Sequence, residues 1–346
     1  MFRQLLLLLF LNVERTQSSY LNCSINTRYP LHFVGFFPCL NQWDEVGDCD
    51  RLTLTAVERA IAEINQDTNI LRCFEIEMLP ITVEDPVQNP TESIEFLYEK
   101  HNNLPIYGVI GPYNPESAKM FAYIFGHYLS TIQISYSVTS VLLDNNKEYP
   151  YFHTTIPNDE YFNVVISKLL DNFDWKKVAI ISTFDEESVL ASQYMFKKLK
   201  HDKKQVHLFH SFINSAESIL NSSKAYHAGL TTAKHVWILR GMTNPNWWRV
   251  GVKERNIILR ILSNNRSLTE TEFYSLLHSK VFSAYDAARI LALTWNVTIN
   301  NYTTEELHNL LNQSWKISNE ERLNLVETLQ YNLFNVVSPY TGLAVR

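Results

Sequence analysis

Four small hydroxyl residues stand close together in the stretch ISYSVTSVLLDNNKEYPYFHTTIPND, residues 134–159: Ser135, Ser137, Thr139 and Ser140. Each offers one O–H donor and lone-pair acceptors, so the group can hold a polar ligand or serve a helix start. An apolar run precedes them, and an aromatic run ending in Pro157-Asn158-Asp159 follows. A second polar turn, GPYNPES, runs from Gly111 to Ser117. The elements around these turns decide between the two uses.

LHFVGFFP (Leu31 to Pro38) is a short apolar run closed by proline, which reads as a buried strand. RLTLTAVERAIAEINQ places Leu54, Val57, Ile61 and Ile64 on one helical face. FEIEMLPITVED alternates as a strand does, and Thr91 in PTESIEFLYEKH is placed to cap a helix carrying Ile94, Leu97 and Tyr98. Strand IYGVIGP, helix PESAKMFAYIFGHYL and strand TIQISYS follow. Alternating strands and helices predict an α/β unit with a parallel sheet. Ligands of such sheets bind beyond the carboxyl ends of the strands, and both polar turns occupy such ends.

After residue 155 the pattern restarts. YFNVVISKLLDNFDW is helical with Asn158 or Asp159 as its cap, KKVAIIST is a strand, SVLASQYMFKKLKHD a helix, and QVHLFHSF and KHVWILRGM are strands. The restart predicts a second α/β unit and a two-lobed protein. SAYDAARILALTW (Ser283 to Trp295) is a strongly apolar helix expected to return to the first lobe.

Composition narrows the function classes. The chain has 346 residues, 46% of them apolar and 19% charged, which is a globular composition with a sizeable core. A net charge of −6 gives no basic footprint for nucleic acid. Met1-Phe2-Arg3, the apolar run Leu5 to Leu11 and the polar TQSS read as a signal peptide over residues 1–18, which places the chain outside the cell. The run is too short to span a bilayer. Export permits disulfides, and the cysteines are Cys23, Cys39, Cys49 and Cys73. Their pairing stays open. Glycosylation sequons begin at Asn22, Asn221, Asn265, Asn296, Asn301 and Asn312. No GxSxG, HExxH, P-loop or GxGxxG occurs, and no Cys/His spacing suits zinc, so neither an enzyme nor a cofactor or metal is expected.

The runs GFFPCLNQWDEVGDC, AVERAIAEIN, ISYSVTSVLLDNNKEYPYFHTTIPND, LLDNFDWKKVAII, NPNWW and AYDAARILALTWN resemble the extracellular Venus-flytrap domain of class C G-protein-coupled receptors, in particular the metabotropic type B GABA receptor. The resemblance covers most of residues 31–346, patchily after 210. It implies a periplasmic-binding-protein type I fold in which each lobe is a parallel sheet flanked by helices. Lobe one would comprise 31–155 plus 280–346, and lobe two 156–275. In that family the lobes close on an amino-acid-type ligand, and closure drives a dimer that signals through a transmembrane domain to G proteins.

The same resemblance implies site residues. Trp43 matches an aromatic that packs over the ligand, where an indole face suits an ammonium group; a half-buried loop tryptophan is the alternative. Ser137, Thr139 and Ser140 match hydroxyls that bind a ligand carboxylate, for which charge-assisted hydrogen bonds are suited; a helix cap before VLLD is the alternative. Ser117 stands near the family's carboxylate-holding serine, displaced by Pro115 and Glu116. His153 lies two or three residues before a family histidine that touches the ligand.

The departures are equally specific. Met242 replaces a family tryptophan, and Lys280 stands where an acid pairs the ligand amine. Lobe two is expected to be shortened, because family segments with additional strands are missing before KHVWILRGM and after NWWRVGV. The family partner of a cysteine near Cys49 is Glu84 here, which leaves Cys73 or Cys39 to pair. The resemblance therefore implies a receptor ectodomain with a small amino-acid-like ligand, in a homo- or heterodimer with a related subunit. The alternatives are a non-ligand-binding dimerisation subunit, a secreted or truncated form, and a receptor guanylate cyclase-type ectodomain.

Overall fold

The structure is a computed structural model that describes residues 28–38, 51–83, 95, 105–183, 186–211, 279–300, 302 and 319–337. The chain divides into two compact units. The first holds Met1–Tyr136, Asn146–Thr155 and Ala284–Arg346, and the second holds Ser137–Asn145 and Ile156–Ser283.

The first unit is built on a parallel sheet with the strand order β2-β1-β3-β4-β5. Its strands are β1 (Tyr29–Pro38), β2 (Phe74–Val83), β3 (Ile106–Ile110), β4 (Gln133–Ser135) and β5 (Phe152–Thr154). Between them run helices α1 (Arg51–Gln66) and α2 (Pro115–His127). In β1 the period-two rule is directly visible. Leu31 and Phe33 join a core cluster with Val57, Ile61 and Ile64 of α1, whereas Val34 and Phe36 join a cluster with Phe121 and Phe125 of α2. Helices thus cover both faces, which is why the central strands are largely apolar and not alternating. All five residues of β3 are buried.

Two later helices complete the first face. Helix α5 (Ser279–Ile299) presents Ala284, Ala287, Ala288, Leu291, Ala292 and Trp295 to the sheet. Its small residues permit close approach. A Cβ on Gly108 would stand 2.4 Å from Leu291 Cδ2, so β3 needs a glycine there. Helix α6 (Asn319–Val337) adds Leu325, Val326, Leu329 and Leu333. Cys73 is buried in this core and disulfide-bonded. Cys39 and Cys49 lie outside the described residues, as do the signal-peptide run, the Thr91 cap and the KHVWILRGM strand.

In the second unit, β6 (Lys177–Thr183) and β7 (Gln205–Ser211) pair in parallel. Helices α3 (Asp159–Asn172) and α4 (Glu186–His201) pack on them. The cluster there is smaller: Leu170, Met195 and Leu199, with Ile166, Trp175, Val178, Ile180 and Val206 against it. The stretches expected to be shortened, beyond residue 211, are outside the described residues.

Candidate functional site

The strand order of the first unit reverses direction between β1 and β3, and a crevice of a doubly wound sheet opens beyond the carboxyl ends of such a pair. β1 ends in Phe36-Phe37-Pro38 and β3 leads into Gly111-Pro112, joined by a cis peptide bond. Gly111 has φ +89°. A Cβ there would approach the Phe36 carbonyl oxygen to 2.8 Å, so conformation and space both demand glycine.

Side chains from β4 and its end fix this turn. The Gln133 amide donates to the Gly111 carbonyl at 2.9 Å, and the Ser135 hydroxyl donates to the Pro112 carbonyl at 2.8 Å. Tyr136 stacks on Phe37 and donates its hydroxyl to the Phe36 carbonyl at 3.0 Å. The first hydroxyl of the serine-threonine run is therefore structural: Ser135 holds the Gly-Pro turn in place. Ser135 was among the hydroxyls open to a ligand or a helix start, and it does neither; Gln133 and Tyr136 carried no site reading in the sequence. The available signal was a glutamine inside an otherwise apolar strand.

Helix α2 opens directly after this turn. Asn114 is its N-cap, with Oδ1 accepting from the amides of Glu116 at 2.8 Å and Ser117 at 3.4 Å. Pro115 occupies the first turn, where its missing N–H costs nothing. Glu116 is exposed, and its charge suits the positive helix end. Ser117, one residue on, is buried, and its Oγ has no hydrogen-bond partner among the described residues. Burying a hydroxyl unpaired costs about 1–3 kcal/mol, so Ser117 is a polar group at this end of the sheet with donor and acceptor capacity to spare. Gln133 Oε1 is likewise buried without a partner.

His153 sits in β5, in register with Ile134 of β4. Its ring meets Phe334 of α6 edge-on at 5.9 Å, and its Nε2 is sealed from solvent with no hydrogen-bond partner among the described residues. Burial pushes its pKa down to about 4, which keeps it neutral at physiological pH. The structure thus places His153 among apolar neighbours, on a strand adjoining the one that carries Ser135.

The other hydroxyls belong to the second unit. Ser140 stands at the N-cap of the short 3-10 turn Val141–Asp144, but its side chain makes no capping hydrogen bond. The Thr139 carbonyl accepts from the Asp159 amide at 2.9 Å, which ties this segment to the start of α3. The cap of α3 is Asn158, whose Oδ1 accepts from Glu160 and Tyr161 and whose amide reaches Asp144. Ser137 and Thr139 are half-buried. Trp43 and Met242 lie outside the described residues, and Lys280 falls in the first turn of α5. Of the sequons, Asn296 is the described one. It lies within α5 with Oδ1 accepting from the Leu71 amide at 2.9 Å.

Comparison with known proteins agrees with this architecture. The family described as "Receptor family ligand binding region" matches residues 52–338. The chain belongs to that family. Its relatives include human gamma-aminobutyric acid type B receptor subunit 2, 25% identical over 61% of this chain and 24% of that protein. Mouse gamma-aminobutyric acid type B receptor subunit 1 is 22% identical over 66% of the chain and 26% of its own length. Mouse taste receptor type 1 member 1 is 27% identical over 40% and 18%. The chain spans about a quarter of the length of the type B receptor subunits it matches. These findings bear out the resemblance to class C receptor Venus-flytrap domains. Among the described residues, no helix is long and apolar enough to cross a membrane.

Proposed function

We propose that the chain is the ligand-binding ectodomain of a class C receptor, displayed outside the cell, and that it performs no catalysis. The observation that carries this reading is the family match across residues 52–338. The lobes in this reading are 31–155 with 280–346, and 156–275. The ligand is a small amino acid or a close analogue. Ser117 at the start of α2 offers a hydroxyl beside a helix N-terminus, an arrangement suited to a carboxylate. Thr139, with Ser137 and Ser140, supplies hydroxyls from the second unit, and Trp43 an apolar face. Ligand binding is relayed through a dimer with a related subunit, in keeping with relatives that are themselves named as subunits.

A second reading has specific support in two side chains. Glu116 beside Ser117 repels a carboxylate, and Lys280 offers no partner for an amine, which suits a subunit that dimerises without binding ligand. The test is thermal melting of the purified chain against the common amino acids and GABA. A stabilising shift from one compound, lost in Thr139→Ala, supports the ligand reading. No shift from any compound overturns it in favour of the second. Micromolar binding of GABA itself would contradict the expectation drawn from Glu116 and Lys280.

A further inference from the structure

The second unit is basic at one end. Helix α4 carries Glu186 and Glu187 at its start, and Lys197, Lys198, Lys200 and His201 towards its finish. Lys203 and Lys204 follow in the turn to β7. The Gln205 amide donates to the Lys176 carbonyl at 2.8 Å, and Gln205 is the register partner of Lys177. The start of β6 is thereby fixed beside the chain that leaves α4. Residues 171–177 and 197–205 gather seven lysines against three aspartates, in a chain whose net charge is −6.

The aspartates are already engaged. Lys198 holds Asp202 at 2.8 Å, Lys204 holds Asp171 at 2.6 Å, and Lys176 meets Asp174 at 3.3 Å. Lys177, Lys197, Lys200 and Lys203 are exposed and have no acidic partner among the described residues. At 3.6 residues per turn, Lys197, Lys200 and His201 share an arc of about 100°, opposite the buried Met195 and Leu199. The Lys197 ammonium lies 5.9 Å from the Tyr194 ring centre, and that of Lys200 lies 4.5 Å from the Phe196 ring centre. Cations favour a helix C-terminus, which accounts for Lys198, Lys200 and His201 in the last turn. It does not account for Lys197, one turn earlier, or for Lys177 and Lys203 outside the helix.

We propose that this end of the second unit binds a sulfated linear polysaccharide of the glycosaminoglycan class, with Lys177, Lys197, Lys200 and Lys203 pairing its sulfates. Short lysine-rich runs such as KKLKHDKK mark polyanion sites. These charges stand on the convex surface of a helix and a turn, which suits a long polymer lying across them. A bilayer surface would call for apolar side chains between the lysines, whereas the outer face of α4 offers exposed Gln193 and Tyr194 there. The choice of a glycan over other polyanions rests on the placement outside the cell proposed above.

The test is binding of the full 346-residue chain to fluorescent heparin oligosaccharide, read by polarisation. Binding should weaken about tenfold or more between about 50 and 200 mM salt, as release of counterions dictates. Combined Lys197→Gln, Lys200→Gln and Lys203→Gln should weaken it about tenfold or more, and Lys200→Gln alone about twofold. Lys197→Arg with Lys200→Arg preserves it, and Lys147→Gln, in the first unit, leaves it unchanged. Desulfated heparin should not compete. Circular dichroism identifies any variant that has not folded. Absence of heparin binding at low salt overturns the proposal, as does binding indifferent to the lysine substitutions or matched by desulfated heparin. Capture by phosphatidylserine vesicles without binding to heparin also overturns it and assigns the patch to a lipid surface. The readout is separate from melting with amino acids, so either reading can fail alone.

Discussion

Trp295 and Tyr107, 188 residues apart, are joined twice: the indole N–H donates to the Tyr107 carbonyl at 2.9 Å, and the rings meet edge-on at 5.4 Å. This is the contact through which α5 locks onto β3. Trp295→Phe removes the donor and part of the ring, which costs a buried hydrogen bond and opens a small cavity. We expect a loss of about 2–4 kcal/mol, measured by urea denaturation. A loss below about 0.5 kcal/mol would show that α5 is held by its alanine face alone.

Gly111 offers a backbone test. Gly111→Ala forces an L-residue to φ +89° and a Cβ to within 2.8 Å of the Phe36 oxygen. The conformational term alone is about 1–2 kcal/mol, and relief of the contact must also displace the end of β1. The midpoint of urea unfolding should fall accordingly. An unchanged midpoint would mean that the turn relaxes without consequence.

Ser117 separates stability from binding. Ser117→Ala removes a buried hydroxyl without a partner, so the free protein should unfold at the same temperature or slightly higher. Under the ligand reading, the same change should cut amino-acid affinity by about tenfold, the usual worth of a charge-assisted hydrogen bond. A marked loss of stability would show that the hydroxyl is engaged within the protein.

His153 predicts a pH dependence. Its folded pKa is about 4, below the ordinary value of 6.5, so the unfolded chain binds the proton more readily. Its contribution is therefore fully present above about pH 6.5 and is lost as pH falls towards 4. The slope is at most about 1.4 kcal/mol per pH unit. Asp202, held down to about 2 by its hydrogen bonds from Lys198 and Ser167, acts in a lower window. His153→Phe should flatten the stability curve between pH 6.5 and 4 and leave the region below 4 unchanged. Parallel curves for the two proteins would refute the assignment.

The elements of the first unit were legible because its periodicities are clean. Leu54, Val57, Ile61 and Ile64 mark α1, and the apolar runs from Leu31 and Ile106 mark β1 and β3. Strand β5 was missed because three residues, Phe152 to Thr154, carry no period of their own and exist by pairing with β4. Helix α6 was not recognised although Leu325, Leu329 and Leu333 recur at helical spacing. Exposed Leu323, Tyr331 and Phe334 blur that stripe. For α3 the sequence shows a helix; Ile166 and Leu170 pack inward beside Asn163 and Ser167, whose hydrogen bonds to Ala191 and Asp202 no apolar period records. At the candidate site, Ser117 was visible as a residue type behind a Gly-Pro turn. The grip of Gln133, Ser135 and Tyr136 on that turn depends on which strands pair, and no local pattern records it.

The first unit takes its sheet from the early part of the chain and one of its two covers from the late part. During synthesis, β1 to β5 leave the ribosome long before α5 does. Until α5 and α6 arrive, the described element that shields Leu31, Phe33 and Tyr107 on that face is α1. Closing so long a loop costs only modest entropy, since the penalty grows with the logarithm of length. The waiting time is set by translation instead. A nascent chain in this state displays a half-finished sheet whose apolar face is open to aggregation until Trp295 reaches Tyr107.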